Sequence, residues 1–473
     1  MSYGLYIGKN HTKDGISYLA GYGDEPSSHW LEIIPKGNHE PGETVAVGVT
    51  PAADLPGYPS TVKQVSETAK HIRVSYSYYK GMPAPLTNGG LNEYGVAVRD
   101  IWSASRKELI AMTPADQTGP NYSDLARFVL ERAQSAREGV ALIGSLIAEY
   151  GHSTYGGNSH LIADPDEGWI IIEFAGGQNL WVAERLGENS IRASRPGYID
   201  EIDLTSGHPD YLYSPNLVSF AIERGWFKPD SGEAFNVNNV YGDGRHRWEG
   251  VQWIESEMLS RAQRPGKISL QDVIWAVRTP KLTGDTAGYG QVVPLVNPAS
   301  SDLRMLWHTQ TSSIAAPFVP IYMGVSKIPE EFCQHRYLTA NESAKFIDGR
   351  KPEAISVVPQ AIECTRSATY VFKRLLHFIT LHPALYMAEI FSIWEGVERE
   401  LFSRHQNVSE AAEVLISAGK YELALEYLTY FTSTELYRSL DLAENLTRSL
   451  EVRTRALYGF HPDPMPLSTG QIW

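Results

Sequence analysis

The chain has 473 residues, a net charge of −14, 42% hydrophobic and 20% charged residues. These proportions suit a soluble globular protein of one large or two ordinary domains. An acidic balance argues against nucleic-acid backbones and anionic membranes, which need clustered Lys and Arg. Two cysteines, Cys333 and Cys364, make neither a disulfide framework nor a CxxC site. No run of about 18 apolar residues is present, so no membrane span is expected. The N-terminal residues lack the pattern of a signal peptide, and the expected location is the cytoplasm.

Residues 2–8 read as a strand, and Asp14-Gly15 is a hairpin turn leading to a second strand over 16–20. Period-two alternation predicts strands over 44–50, 71–78 and 95–102. Ser135 and Glu138 form a capping-box signature, with Val140, Ile143, Leu146 and Ile147 on one helical face and Gly151 as the stop. A meander follows, with strands over 160–163, 169–174 and 180–185. Residues 208–330 mix helix and strand. The stretch 355–460 reads as helical: Met387, Phe391, Trp394, Val397 and Leu401 keep helical spacing, and Thr432 with Glu435 resembles a second capping box. Strands, then helices, then strands point to stacked layers rather than βαβ units.

Several chemistries are absent as motifs. There is no GxxxxGK[ST], no HExxH and no Cys/His set with zinc spacing. Gly89-Gly90, Gly156-Gly157 and Gly176-Gly177 lack GxGxxG spacing and read as turns. No GxSxG elbow occurs. Hydrolysis without metal or nucleotide remains a live class.

Ser2 is the key position. Methionine before a small residue is usually clipped, which would leave Ser2 with a free α-amine of ordinary pKa near ~8. Such an amine can act as general base for its own hydroxyl.

The run Ser2-Tyr-Gly-Leu-Tyr-Ile-Gly-Lys-Asn10 is followed by Asp14-Gly15, Ala20 to Asp24, and Gly90-Leu-Asn-Glu-Tyr-Gly-Val-Ala97. Gly157-Asn-Ser-His-Leu-Ile-Ala163, Asp166 to Glu173 and Gly177 to Arg185 continue the pattern. This order resembles the cysteine-type dipeptidases of the N-terminal-nucleophile hydrolase superfamily, with secernins, penicillin V acylases and bile-salt hydrolases as more distant relatives. The resemblance covers most of residues 2–330. It implies an α+β fold, a four-layer αββα sandwich over 2–330 with a helical C-terminal extension over 331–473 packed on it. It also implies amide hydrolysis, dipeptides or other small amides as substrates, and no metal or organic cofactor. Nucleic-acid and membrane partners are not expected; homo-oligomerisation stays open.

Within that resemblance Ser2 is the nucleophile, Asp24 orients its amine, and Asn92 and Asn158 stabilise an oxyanion. Arg195 is a candidate to bind a substrate carboxylate, against the plainer reading of a surface arginine. His160 is read as structural and Arg245 to Trp248 as an exposed cluster. Two departures stand out. Ser2 replaces the family's cysteine, and Ala20-Gly21-Tyr22-Gly23-Asp24 stands where relatives read Ala-Arg-Asn-Glu-Asp, so the arginine is absent. These leave two alternatives to hydrolysis: acyl transfer in the same site, and a non-catalytic binding protein.

Overall fold

The computed structural model describes residues 2–24, 29–49, 56–76, 85–205, 207–284, 286–333 and 366–459. Met1, Cys364, the ends of the expected strands at residues 50 and 77–78, and the first part of the expected helical stretch (355–365) lie outside the described residues.

Two antiparallel sheets form the body. Six strands make the first: β1 (Tyr3–Ile7), β2 (Ser17–Gly23), β10 (Ile191–Ser194), β12 (Tyr289–Leu295), β13 (Met305–Gln310) and β14 (Val319–Tyr322), in the order β10-β1-β2-β12-β13-β14. Eight make the second: β3 (His29–Ile34), β4 (His71–Tyr76), β5 (Leu86–Asn92), β6 (Ala97–Trp102), β7 (Asn158–Ala163), β8 (Gly168–Glu173), β9 (Trp181–Leu186) and β11 (Tyr211–Tyr213), in the order β11-β9-β8-β7-β6-β5-β4-β3. The expected strand at 44–50 exists as Thr44–Gly48, paired with Pro59–Lys63 in a ribbon apart from both sheets.

Alternation builds the layers. In β7 and β8, Leu161, Ile170 and Ile172 face the other sheet, while Ile162, Trp169 and Ile171 face helices. Those helices are α1 (Tyr122–Arg132) and α2 (Ala136–Tyr150). Helices α3 (Glu249–Ala262) and α4 (Leu270–Arg278) cover the six-stranded sheet, which completes an αββα sandwich. Each fully buried Ile or Val in these layers contributes about 1.5–3 kcal/mol. Ser135 accepts from the Glu138 amide, and Gly151 ends α2 at φ 85°. Asn121 and Asp124 cap α1 reciprocally. The hairpin turn holds as read: Gly15 has φ 69°, and the Ile16 amide donates to Asp14 Oδ1 at 3.2 Å.

Two local expectations are corrected. Gly89 and Gly90 lie inside the central strand β5, not in a turn. A Cβ at Gly89 would come within 2.5 Å of the Tyr289 hydroxyl and Gln291 Oε1, and one at Gly90 would collide with the Ile72 carbonyl. Thr432 and Glu435 do not start a helix. They sit inside α7 (Tyr421–Leu457), where Thr432 Oγ1 donates to Pro320 O at 3.2 Å and Glu435 pairs with Arg404 at 2.6 Å. Helices α5 (Ala368–Leu381), α6 (Pro383–Ser417) and α7 pack together and against the β14 edge, sharing one apolar core with the six-stranded sheet. No described helix is long and apolar enough to cross a membrane.

Candidate active site

Ser2 immediately precedes β1 and is 5% exposed. Gly4 pairs with Gly21 on one side and Ser194 on the other. A Cβ at Gly4 would come within 2.5 Å of Ile101 Cδ1 and 2.6 Å of Leu161 Cδ1, so this face of β1 looks between the sheets. By alternation Ser2 shares that face. Continuing the register by one or two rungs puts the Ser2 backbone between the β2 end that leads to Asp24 and the Arg195-Pro196 segment after β10.

Asp24 and Arg195 come together there. Asp24 Oδ2 lies 3.8 Å from Arg195 Nη2, and its Oδ1 accepts from the Thr286 hydroxyl. Arg195 is 3% exposed, which overturns the surface reading. Its Nη1 donates to Leu282 O at 2.7 Å and to the Tyr22 hydroxyl. Arg195 thus stands beside Asp24 with its Nη1 held by internal acceptors.

The two asparagines go elsewhere. Asn92 accepts from the Tyr94 and Val96 amides and donates to Leu130 O at 3.2 Å and Ala133 O at 2.7 Å. It thereby tightens the β5–β6 turn and satisfies carbonyls at the end of α1. Val96, beside it, is five residues from Ile101, roughly 17 Å along a strand. The structure therefore does not bring Asn92 to Ser2. Asn158 accepts from Thr154 Oγ1 at 3.1 Å and by alternation shares the helix-facing side of β7 with His160. The hydroxyls that do share the face of Ser2 at this end are Ser103 and Ser159, both packed against Gly197.

His160 is structural, as read. Its ring lies between Glu173 Oε1 (2.8 Å) and Tyr122 O (2.9 Å), wholly buried. Beside Arg195 a small recess of about 20 Å³ is lined by Pro196, Tyr198, Arg245, Arg247 and Trp248. Arg245 is 77% exposed, but Arg247 is partly buried and pairs with Glu255, so the cluster is only partly the solvated one expected.

Sequence reading missed Thr286, Tyr22 and Arg99. Arg99 had a usable signal: an adjacent Arg-Asp pair in the middle of the apolar strand Ala97–Trp102. The empty position at residue 21 also has a physical reason. Gly21 has φ 153°, and a Cβ there would collide with the Tyr3 carbonyl oxygen, so no arginine fits in this backbone. Among the described residues no group of His, Cys, Asp and Glu is arranged to hold a metal ion.

An αββα sandwich with a buried serine leading its central hairpin defines the class of protein. Residues 5–250, over half of the chain, match the profile of peptidase family C69, and the chain belongs to that family. It is 25% identical over 292 residues to "Probable dipeptidase A" of Streptococcus pyogenes serotype M3, covering 57% of this chain and 59% of that protein. It is 28% identical over 243 residues to "Probable dipeptidase" of Salmonella dublin, covering 50% and 52%. The matches thus span between half and three fifths of these curated relatives. Among solved structures, penicillin V acylase from Agrobacterium tumefaciens aligns over 69% of this chain and 87% of that one at 15% identity, with a TM-score of 0.39, a likeness too loose to carry an inference.

Proposed function

We propose that the protein hydrolyses the amide bond of dipeptides or similar small amides, with Ser2 as nucleophile and its own α-amine, exposed by removal of Met1, as base. The observation that carries this reading is the position of Ser2. It is buried at the head of β1, within a rung or two of the Asp24–Arg195 pair. A hydroxyl is a weak nucleophile at its free pKa and depends on an adjacent base. Asp24, steadied by Thr286 and Arg195, is suited to orient the amine. The family supports peptide-bond chemistry. The oxyanion roles of Asn92 and Asn158 form no part of this proposal, because Asn92 bonds to carbonyls at the end of α1 and Asn158 shares the helix-facing side of β7.

Ser2→Ala tests the reading. Turnover of a dipeptide panel should fall by at least about 10³-fold with the melting temperature unchanged, as for removal of an activated nucleophile. Activity in Ser2→Ala equal to the wild type would refute it. An intact mass that retains Met1 would refute it equally, because the base would then be blocked.

A further inference from the structure

We infer that Arg99, reaching across from the facing sheet, is a positioning residue that keeps the α-amine of Ser2 weakly basic; this rests on the reading of Ser2 as a nucleophile with a free amine.

Arg99 is wholly buried in β6, on the same strand face as Ile101, which packs under Gly4. Its Nη2 donates to the Tyr22 carbonyl at 2.8 Å. Tyr22 pairs with Tyr3, so this cation stands beside the rung next to Ser2. The guanidinium is fixed in place. Nη1 donates to Asn88 O at 2.7 Å, to Asn88 Oδ1 at 2.6 Å and to the Tyr289 hydroxyl, and the charge lies 5.1 Å from the Tyr289 ring centroid. Gly89 makes the room, since a Cβ there would press on that same Tyr289 hydroxyl.

The need for such a charge follows from Asp24. A carboxylate beside an amine favours the ammonium form, which cannot accept a proton, whereas a nearby cation favours the neutral amine. The charged groups around the amine are balanced face by face. Asp24 lies at the end of β2. Arg195 stands on the helix side, against Tyr22, and the Tyr3 phenol lies there too, its pKa raised by burial and by Glu255 against the opposing pull of Arg195. Arg99 stands on the inter-sheet side, 3.6 Å from Asp100 Oδ1. Gly21 cannot carry a side chain, so the cation on that side has to come from the other sheet.

The test titrates the amine directly, without a substrate. Intact mass first establishes that Met1 is absent; a retained Met1 defeats the reading of Ser2 and this inference with it. Acetic anhydride labelling of the N-terminal peptide across pH, followed by mass spectrometry, then gives the amine pKa in the wild type and in Arg99→Met, Arg99→Gln and Arg99→Lys. The expected result is a wild-type value below the ordinary ~7.7–8.0. Either neutral variant, folded by circular dichroism, should raise it by about one unit, and Arg99→Lys should stay close to the wild type. A wild-type value at or above about 8 overturns the inference even where neither neutral variant folds. An unchanged value in a folded neutral variant also overturns it, while leaving the role of Ser2 standing.

Discussion

Two buried arginine–carboxylate pairs, Arg278 with Glu398 and Arg195 with Asp24, use the same groups and reach different geometries. The first joins α4 of the sandwich to α6 of the helical tail. Arg278 Nη1 donates to Glu398 Oε2 at 2.8 Å, Nη2 donates to Oε1, Nε donates to Ser313 O at 2.8 Å, and the Phe318 amide donates to Glu398 Oε1 at 2.8 Å. The fork is closed and every atom has a partner, as a buried ion pair requires. The second meets at one contact of 3.8 Å, with each partner also bonded to neutral groups. A closed fork locks two elements together. The longer Asp24–Arg195 contact suits the amine-orienting role proposed for Asp24.

Breaking the closed pair should have the largest effect on stability. Arg278→Met strands a buried carboxylate and is expected to cost about 3–5 kcal/mol, read from the urea midpoint. A loss below 1 kcal/mol would mean that the fork contributes nothing to holding the tail. Asp24→Asn should do the reverse. Stability changes by less than about 1 kcal/mol, while kcat/KM on a hydrolysed dipeptide drops about 10²-fold, equivalent to ~2.7 kcal/mol. If Asp24→Asn instead unfolds the protein and spares activity, the contrast between the two pairs is lost.

A third buried pair sharpens the contrast through pH. Burial disfavours the His160 imidazolium, but the Glu173 carboxylate and its hydrogen bond, with Asp100 and the Tyr122 carbonyl, outweigh it and raise the pKa. A raised folded-state value gives stability that is fully present below the unfolded pKa and lost as pH rises through the folded one. The difference in stability between wild type and His160→Gln, read from the urea midpoints, should therefore shrink from acid to mildly alkaline pH. The comparison with His160→Gln is needed because His71, His152 and His308, lowered by burial to about 3, 3 and 4, pull the other way. They favour the folded state less as pH falls below ~6.5.

Much of the fold was legible because its signals are local. The Asp14-Gly15 turn, the alternation read over 71–78, the meander strands read over 160–163 and 169–174, and the Ser135 cap each depend on residues a few positions apart. The last three strands of the six-stranded sheet, β12, β13 and β14, were not separately legible. They come from residues 289–322, and β12 pairs with β2 at the other end of the chain, so the register that seats the three strands is set by a partner more than 260 residues away. Thr432 misled for the same reason. Its hydroxyl suggested a cap, but Pro320 O supplies its acceptor and the helix runs through it.

The sequence by itself determined the strand and helix periods, the short turns and caps, and the placing of a serine at the second position, because these rest on dihedral preference and spacing. The tertiary structure alone decided which polar residues meet. It buried Arg195 beside Asp24 and turned Asn92 and Asn158 away from Ser2. It also brought Arg99 across from the other sheet, to a strand where Gly21 leaves no space for a side chain. Those outcomes follow from sheet register and the stacking of two layers, in which one residue of shift changes the face a side chain occupies.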